Sequence, residues 1–314
     1  MYPKEITDLL DSNGLGWKPS HNLNAHCGDY IEPLQRERWL LANQDAHKAI
    51  RDYFEFLVTC QKRFTEVAKS MGYWNKETRH SLGHDKWSVG WGGDALLPIA
   101  HYAYCLKSYG LSGNILECGA FKGSSTACLS IACELIGSTL FCADSFEGLP
   151  EGEAHYNKGD FVGTLDEVKK NVARNGVIES TRFIQGWYNE SLKGFSEPIS
   201  VLWIDVDLCS STLDVLNNAY SAIEPNGIIF SDGFQAEVDY EGTRVKQIGH
   251  ENAGLCEPAG IYQFFEGKKL DYQAIPAGPP GLALIVQELD ESTPLRHQSE
   301  QIPTLLKALT TKIN

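Results

Sequence analysis

Residues 114–150, NILECGAFKGSSTACLSIACELIGSTLFCADSFEGLP, leave few folds open to this chain. Ile115, Leu116 and Cys118 make the short apolar run of a buried parallel strand, and Glu117 and Gly119 end it. Gly119 and Gly123 let the backbone turn sharply and come close to a ligand. Ser124, Ser125 and Thr126 are suited to cap the next helix, whose Leu129, Ile131, Cys133 and Leu135 point to burial. A second apolar run, 140–143, ends in Asp144. Strand, glycine turn, helix, strand and acid make one half of a dinucleotide-type fold.

The terminal acid bears on the ligand. A carboxylate at the tip of the second strand can accept both hydroxyl protons of a ribose. The pyrophosphate fingerprint GxGxxG is absent, since the turn reads ECGAFKG, and Glu117 adds negative charge where a pyrophosphate would sit. S-adenosylmethionine, with its sulfonium, amine and ribose, suits such a site better. A nucleotide-free α/β unit is the plainer alternative, because short glycine motifs often match by chance.

The same stretch resembles the macrocin O-methyltransferase family (TylF-type, including the mycinamicin sugar methyltransferases), a class I S-adenosylmethionine-dependent group. The family's ILE-x-G-x-x-x-G-x-ST turn stands here as ILECGAFKGSST, and its DSFEGLP block is intact. The likeness runs on through FVGTLDEVKKNVARNG, GWYNESL, WIDVDLCSSTLDVL and PNGIIFSDGF, over 113–234. It implies methyl transfer from S-adenosylmethionine to a hydroxyl of a small molecule, a sugar or another natural-product intermediate. The first ninety residues and the last eighty carry no comparable motif.

At 314 residues the chain can bury a full core and is expected to hold one main domain with additions. A net charge of −14 argues against nucleic acid and anionic lipid as partners. No apolar run approaches the ~18 residues of a membrane span, and MYPKEITDLL has no signal-peptide pattern. Nine cysteines without a CxxC pair read as small buried hydrophobes, Cys118, Cys128, Cys133, Cys142 and Cys209 among them. A reducing, cytoplasmic setting is the expectation.

Three segments are expected: an N-terminal arm, long helix and aromatic loop over 1–93; the cofactor-binding domain over 94–290 with an insertion at 235–260; and a tail over 291–314. Between 34 and 71 there is neither Gly nor Pro, and Ile50, Tyr53, Leu57, Cys60, Phe64, Val67 and Met71 form one helical stripe. The stripe either packs on the main domain or forms the seam of a homodimer, and Phe54, Phe56 and Val58 widen it. Trp87 and Trp91 lie in a glycine-rich loop that is either a mobile lid or a surface loop. A helix over 94–108 leads into the first strand. Thr164 and Glu167 form a capping box for a helix ended by Gly176. Strands are expected over 182–185, 200–204 and 228–230, with a helix over 211–223 turned inward at Leu213, Leu216, Tyr220 and Ile223. Alternation of strands and helices argues a doubly wound, mostly parallel α/β sheet. A closing hairpin over 270–275 and 282–286 would give the seven strands of the class I methyltransferase sheet, Rossmann-like, with an N-terminal helical region.

Ligands of open parallel sheets sit at the carboxyl ends of the strands. Glu117, Asp144, Gln185-Gly186-Trp187, Asp205 and Asp232 all fall at such ends. Expected cofactor contacts are Glu117 to the amino-acid end, with Gly119, Gly123, Ser124 and Ser125 on the turn, and Asp144 to the ribose. Ser145 and Phe146 are placed beside sugar and base, Gln185, Gly186 and Trp187 beside the adenine, and Asp205 at the edge. Asp205, Asp207 and Asp232 are hard oxygen ligands suited to Mg²⁺, which could lower the pKa of an acceptor hydroxyl. The resembling family uses such a site, with an acidic pair before an aromatic; here the segment reads Asp232-Gly233-Phe234. The missing ligand could come from Glu237, Asp239, Glu241 or Glu251. The general base is Asp205 or a loop histidine, His155 or His250, with Asp232 beside it. Two other readings stay open: a methyltransferase-like protein that binds the cofactor without transferring methyl, and a dinucleotide-dependent oxidoreductase.

Overall fold

The strands, several of them followed or ended by an acid, lie side by side in one sheet. A computed structural model describes residues 3–6, 8, 47–71, 96–150, 156–232, 236–238, 245–247, 257–265, 271–275 and 282–286. The parallel part comprises β1 (Ile115–Cys118), β2 (Leu140–Asp144), β3 (Thr181–Gln185), β4 (Ile199–Ile204) and β5 (Ile223–Ser231), in the order β3-β2-β1-β4-β5. The chain starts at β1 and winds outward both ways, so the order reverses between β1 and β4, where open α/β sheets hold their ligands. A separate antiparallel pair, β6 (Ala236–Val238) and β7 (Val245–Gln247), lies within the expected insertion. Two further described strands, β8 (Asp271–Ile275) and β9 (Leu282–Val286), run antiparallel at the β5 edge.

Side chains alternate across the sheet, and the two faces bury different layers. Ile115, Val201 and Trp203 face α1 (Lys48–Ser70), α2 (Leu97–Ser108), α3 (Ser124–Ile136) and α4 (Leu165–Asn175). Leu116, Cys118, Leu202 and Ile204 face the other layer, with α5 (Tyr188–Ser191), α6 (Cys209–Ala219) and α7 (Glu257–Phe265). Glu117 has the parity of Ile115 and so points toward α3. The described cysteines, Cys60, Cys105, Cys118, Cys128, Cys133, Cys142 and Cys209, are buried free thiols, in keeping with their reading as core residues.

The stripe on α1 packs inside the chain. Ile50, Tyr53, Leu57, Cys60, Phe64 and Val67 are at most 2% exposed, and the flanking Phe54, Phe56 and Val58 are also buried. Phe56 meets Tyr104 of α2 with ring centroids 4.6 Å apart. Burying such side chains contributes about 1.5–3 kcal/mol each relative to exposure. That face is therefore not the one a second copy of the chain would meet, and a homodimer seam at 34–71 loses its apolar basis between Ile50 and Val67. The helix begins after His47, whose side chain accepts the Ala49 N–H; residues 34–46 lie outside the described set.

Several boundaries differ from the sequence expectation. Gly123, left-handed at φ 84°, is the residue before α3, so Ser124, Ser125 and Thr126 form its buried first turn rather than its cap. β5 starts at Ile223, not Ile228, because Ile223 pairs with Ile199 and Ile228 with Val201; the Pro225-Asn226-Gly227 turn is a bulge inside the strand. On α6 the buried positions include Val215, Leu216 and Ala219, while Leu213 and Tyr220 are half-buried. Thr164 does cap α4, its hydroxyl accepting the Glu167 N–H at 3.3 Å.

Candidate active site

The carboxyl ends of β1, β2, β4 and β5 bring two sets of acids to one edge. In the first set, Asp144 ends β2 and is held by the next stretch of backbone and by the glycine turn. Its Oδ2 accepts the Ala120 N–H at 2.7 Å and its Oδ1 the Phe146 N–H at 2.6 Å. The Phe121 N–H and the Ser145 hydroxyl also hydrogen-bond this carboxylate and favour its charged form. Burial pushes its pKa up, opposed by these amide bonds. The Ser145 hydroxyl lies 3.5 Å from Oδ1 and donates to the Gly148 carbonyl at 3.1 Å.

Glu117 is fully buried, with the Ser125, Thr126 and Cys142 side chains beside its carboxylate but none in close hydrogen-bond geometry. Burial lifts its pKa from 4.5 to about 7, against the Ser125, Thr126 and Cys142 side chains, which favour the charged form, and with some help from the Asp144 charge. A buried acid left in this state invites a cationic partner.

The turn between them has a tighter reason for glycine than ligand approach alone. Gly119 has φ 98°, and a Cβ there would stand 1.8 Å from the Asp205 carbonyl oxygen. The Asp205 N–H in turn donates to the Cys118 carbonyl at 2.9 Å. The glycine turn thus lies directly on the end of β4 and joins the two sets of acids.

The second set is crowded. Burial and the charges of Asp232, Asp207 and Glu257 push the Asp205 pKa far above the carboxylate range, and Asp205 hydrogen-bonds Asp232. Asp207 is raised to about 6 by burial, partly offset by a hydrogen bond from Tyr156, with the Asp160 charge adding to the rise. Its φ of 62° is left-handed, an unfavourable conformation for a non-glycine residue. Mg²⁺ was expected on Asp205, Asp207 and Asp232. Among the described residues no three acids, histidines or cysteines are placed to hold a metal ion. Asp205 bonds Asp232 and Asp207 is engaged by Tyr156, so the described acids alone do not fit a Mg²⁺ site.

Residues 30–247 match the family described as macrocin-O-methyltransferase (TylF), well over half of the chain. The chain belongs to that family. It is thereby an S-adenosylmethionine-dependent O-methyltransferase. The match starts at residue 30, far earlier than the motifs alone reach. One relative is the 8-demethyl-8-(2,3-dimethoxy-alpha-L-rhamnosyl)-tetracenomycin-C 4'-O-methyltransferase of Streptomyces olivaceus, 28% identical over 51% of this chain and 71% of its own. Another is the mycinamicin III 3''-O-methyltransferase of Micromonospora griseorubida, 30% identical over 42% of this chain and 60% of its own. The solved structure of the O-methyltransferase NovP shares the fold at a TM-score of 0.55 and 17% identity, over 75% of this chain and all of its own.

Within this macrocin-type methyltransferase the site residues named from sequence fall unevenly. Glu117, Asp144, Asp205, Asp207 and Asp232 stand together at the carboxyl edge of the sheet. Gln185, Gly186 and Trp187 close β3, where the Gly186 N–H donates to the Asp144 carbonyl at 2.9 Å. The Phe146 ring is 4% exposed and packs near Phe183, and its backbone N–H donates to Asp144. His155, His250, Gly233, Trp87, Trp91, Asp239, Glu241 and Glu251 lie outside the described residues, as does the side chain of Glu237. Sequence reasoning missed three groups. Tyr156 engages Asp207. Tyr188 lies near Asp144 and Asp205, and burial, with those charges, pushes its hydroxyl pKa well up. Glu257 is a buried acid beside Asp205. The turn motif GWYNESL could have pointed to Tyr188, but nothing local marks Glu257.

Proposed function

We propose that the chain moves the methyl group of S-adenosylmethionine to a hydroxyl of a glycosylated natural product or of a related sugar-bearing intermediate. The relatives' named reactions on sugar positions support that acceptor class. In this reading the unit spanning 94–290 is the catalytic domain, a seven-stranded class I sheet with an insertion at 235–260. Residues 1–93 add a helical arm and 291–314 a tail, and the protein works in the cytoplasm.

The observation that carries the cofactor is the fully buried carboxylate of Glu117 beside the strand-end carboxylate of Asp144. The methionine ammonium would satisfy Glu117, and the two ribose hydroxyls would complete Asp144. Gly119 and Gly123 let the turn pass under the ligand, and Gln185, Gly186 and Trp187 border the base.

Transfer is an in-line displacement, so most of the protein's work is positioning and charge stabilisation. The acceptor hydroxyl must lose its proton as the new bond forms. Asp207 suits that task better than the first candidate, Asp205. With its pKa near 6 it is ionised at neutral pH yet basic enough to take a proton. Asp205, crowded by three acids, is pushed toward its neutral form. Tyr156 would orient Asp207 by donating to it. The crowding of Asp205 against Asp232 is also what a divalent cation would relieve, given a further ligand from outside the described residues. Proton release on titrating Mg²⁺ into the protein decides that finer point.

Calorimetric binding of S-adenosylmethionine, followed by mass spectrometry of glycosylated acceptors incubated with the loaded protein, tests the proposal. One added methyl on a sugar oxygen is the expected result. Binding of NAD in place of S-adenosylmethionine would overturn it.

A further inference from the structure

Glu257 opens α7 and is 1% exposed. Its Oε2 accepts the Val206 N–H at 3.0 Å, and its Oε1 accepts the Ser231 hydroxyl. Its own N–H donates to the Asp207 carbonyl at 3.0 Å. Val206 lies between Asp205 and Asp207, and Ser231 immediately precedes Asp232. One side chain therefore ties the middle of the acid pair just past β4 to Ser231, the last residue of β5, beside the third acid.

Apolar contacts also hold α7 in place. Ile261 and Phe265 are buried against the α6 layer, and Phe264 meets Tyr220 with ring centroids 5.0 Å apart. A buried acid beside Asp205 is unfavourable unless its hydrogen bonds offset the lost water. Its bonds to Val206, Ser231 and the Asp207 carbonyl join it to the strand ends that carry the acids.

We propose that Glu257 is a positioning residue for methyl transfer: it fixes the ends of β4 and β5 relative to each other, so that Asp205, Asp207 and Asp232 present one surface to the acceptor. The inference rests on the reading that these acids serve the acceptor side of the reaction. It does not need Glu257 to touch cofactor or substrate.

Glu257→Ala and Glu257→Gln separate the bonds from the charge. A glutamine can still accept the Val206 N–H and donate to Ser231 Oγ, whereas alanine can do neither. In Glu257→Ala, kcat should fall about a hundredfold, the size of loss that a small misplacement brings. S-adenosylmethionine affinity should stay within about threefold, since the Glu117–Asp144 side is untouched. The Val206 amide should exchange with deuterium about tenfold faster or more. Glu257→Gln should recover kcat to within about fivefold. If Glu257→Ala fails to fold, Ser231→Ala removes one of the two bonds and should lower kcat about tenfold in a folded protein. A folded Glu257→Ala with undiminished kcat overturns the inference. So does cofactor affinity that falls in step with kcat, or a Glu257→Gln as inactive as the alanine variant. Wild-type protein that binds no S-adenosylmethionine would instead overturn the methyltransferase reading itself, which keeps the two failures apart.

Discussion

Asp144 and Asp205 stand at the ends of β2 and β4, the two neighbours of β1, yet the fold treats them in opposite ways. Around Asp144 the backbone supplies donors: the glycine turn offers Ala120 N–H, and the chain curls back at Phe146, φ 58°, to offer a second. Around Asp205 the neighbouring strand supplies another acid instead, so Asp205 shares a hydrogen bond with Asp232 and is pushed toward its neutral form. The difference lies in the surroundings of each strand end, since the residue is the same. One end is built to hold a carboxylate among hydrogen-bond donors. The other concentrates acids whose charge must be taken up by protons, by hydrogen bonds or by a bound ligand.

The division between a cofactor side and an acceptor side can be broken most forcefully at Asp207. Asp207→Asn should lower kcat by about 10²–10⁴, the contribution of a general base, with S-adenosylmethionine affinity nearly unchanged. Steady-state kinetics beside calorimetry would read both, and a parallel loss of affinity would erase the distinction. Gly119→Ala tests the joint between the two sides. Its Cβ would collide with the Asp205 carbonyl in a backbone conformation that disfavours side chains. Chemical denaturation should show a loss of about 2–4 kcal/mol, with both cofactor binding and turnover impaired. A variant as stable as wild type would mean that the turn and β4 are not in contact.

Asp144→Ala should weaken S-adenosylmethionine binding by about 1.5–3 kcal/mol, the range for hydrogen bonds to a charged group, and act on turnover only through binding. Unchanged affinity in the folded variant would move the ribose elsewhere. The smallest effect is a pH dependence. Burial holds Glu117 near pKa 7 without ligand, and a neighbouring ammonium would lower that value. Cofactor binding then expels a proton wherever free Glu117 is protonated. Affinity should therefore rise with pH up to about 7, by roughly tenfold per unit at most, and level off above. Glu117→Gln should flatten this slope; a slope that persists in the variant would assign it to another group.

Much of this frame was legible in the chain. Acids in or just after apolar runs were legible, so residue type alone put Glu117, Asp144, Asp205 and Asp232 near strand ends. The α1 stripe was legible as a helix, though not as to what it packs on, because the same spacing serves a core and a dimer seam. That the Phe146 N–H bonds Asp144 was not legible, because it depends on a positive φ that its polar neighbours do not mark.

The sequence by itself determined the order of elements, the glycine turn and which acids reach the sheet edge, because those depend on local periodicity and on residues a few positions apart. Only the tertiary structure decided which acids face one another, that Gly119 lies on the Asp205 carbonyl, and that Glu257 is the acid beside Asp205. Those facts depend on strand order and on α7 packing against α6. Val206 and Glu257 are 51 residues apart in the chain and 3.0 Å apart in space. No local pattern encodes such a contact; burial of the apolar faces between them brings it about.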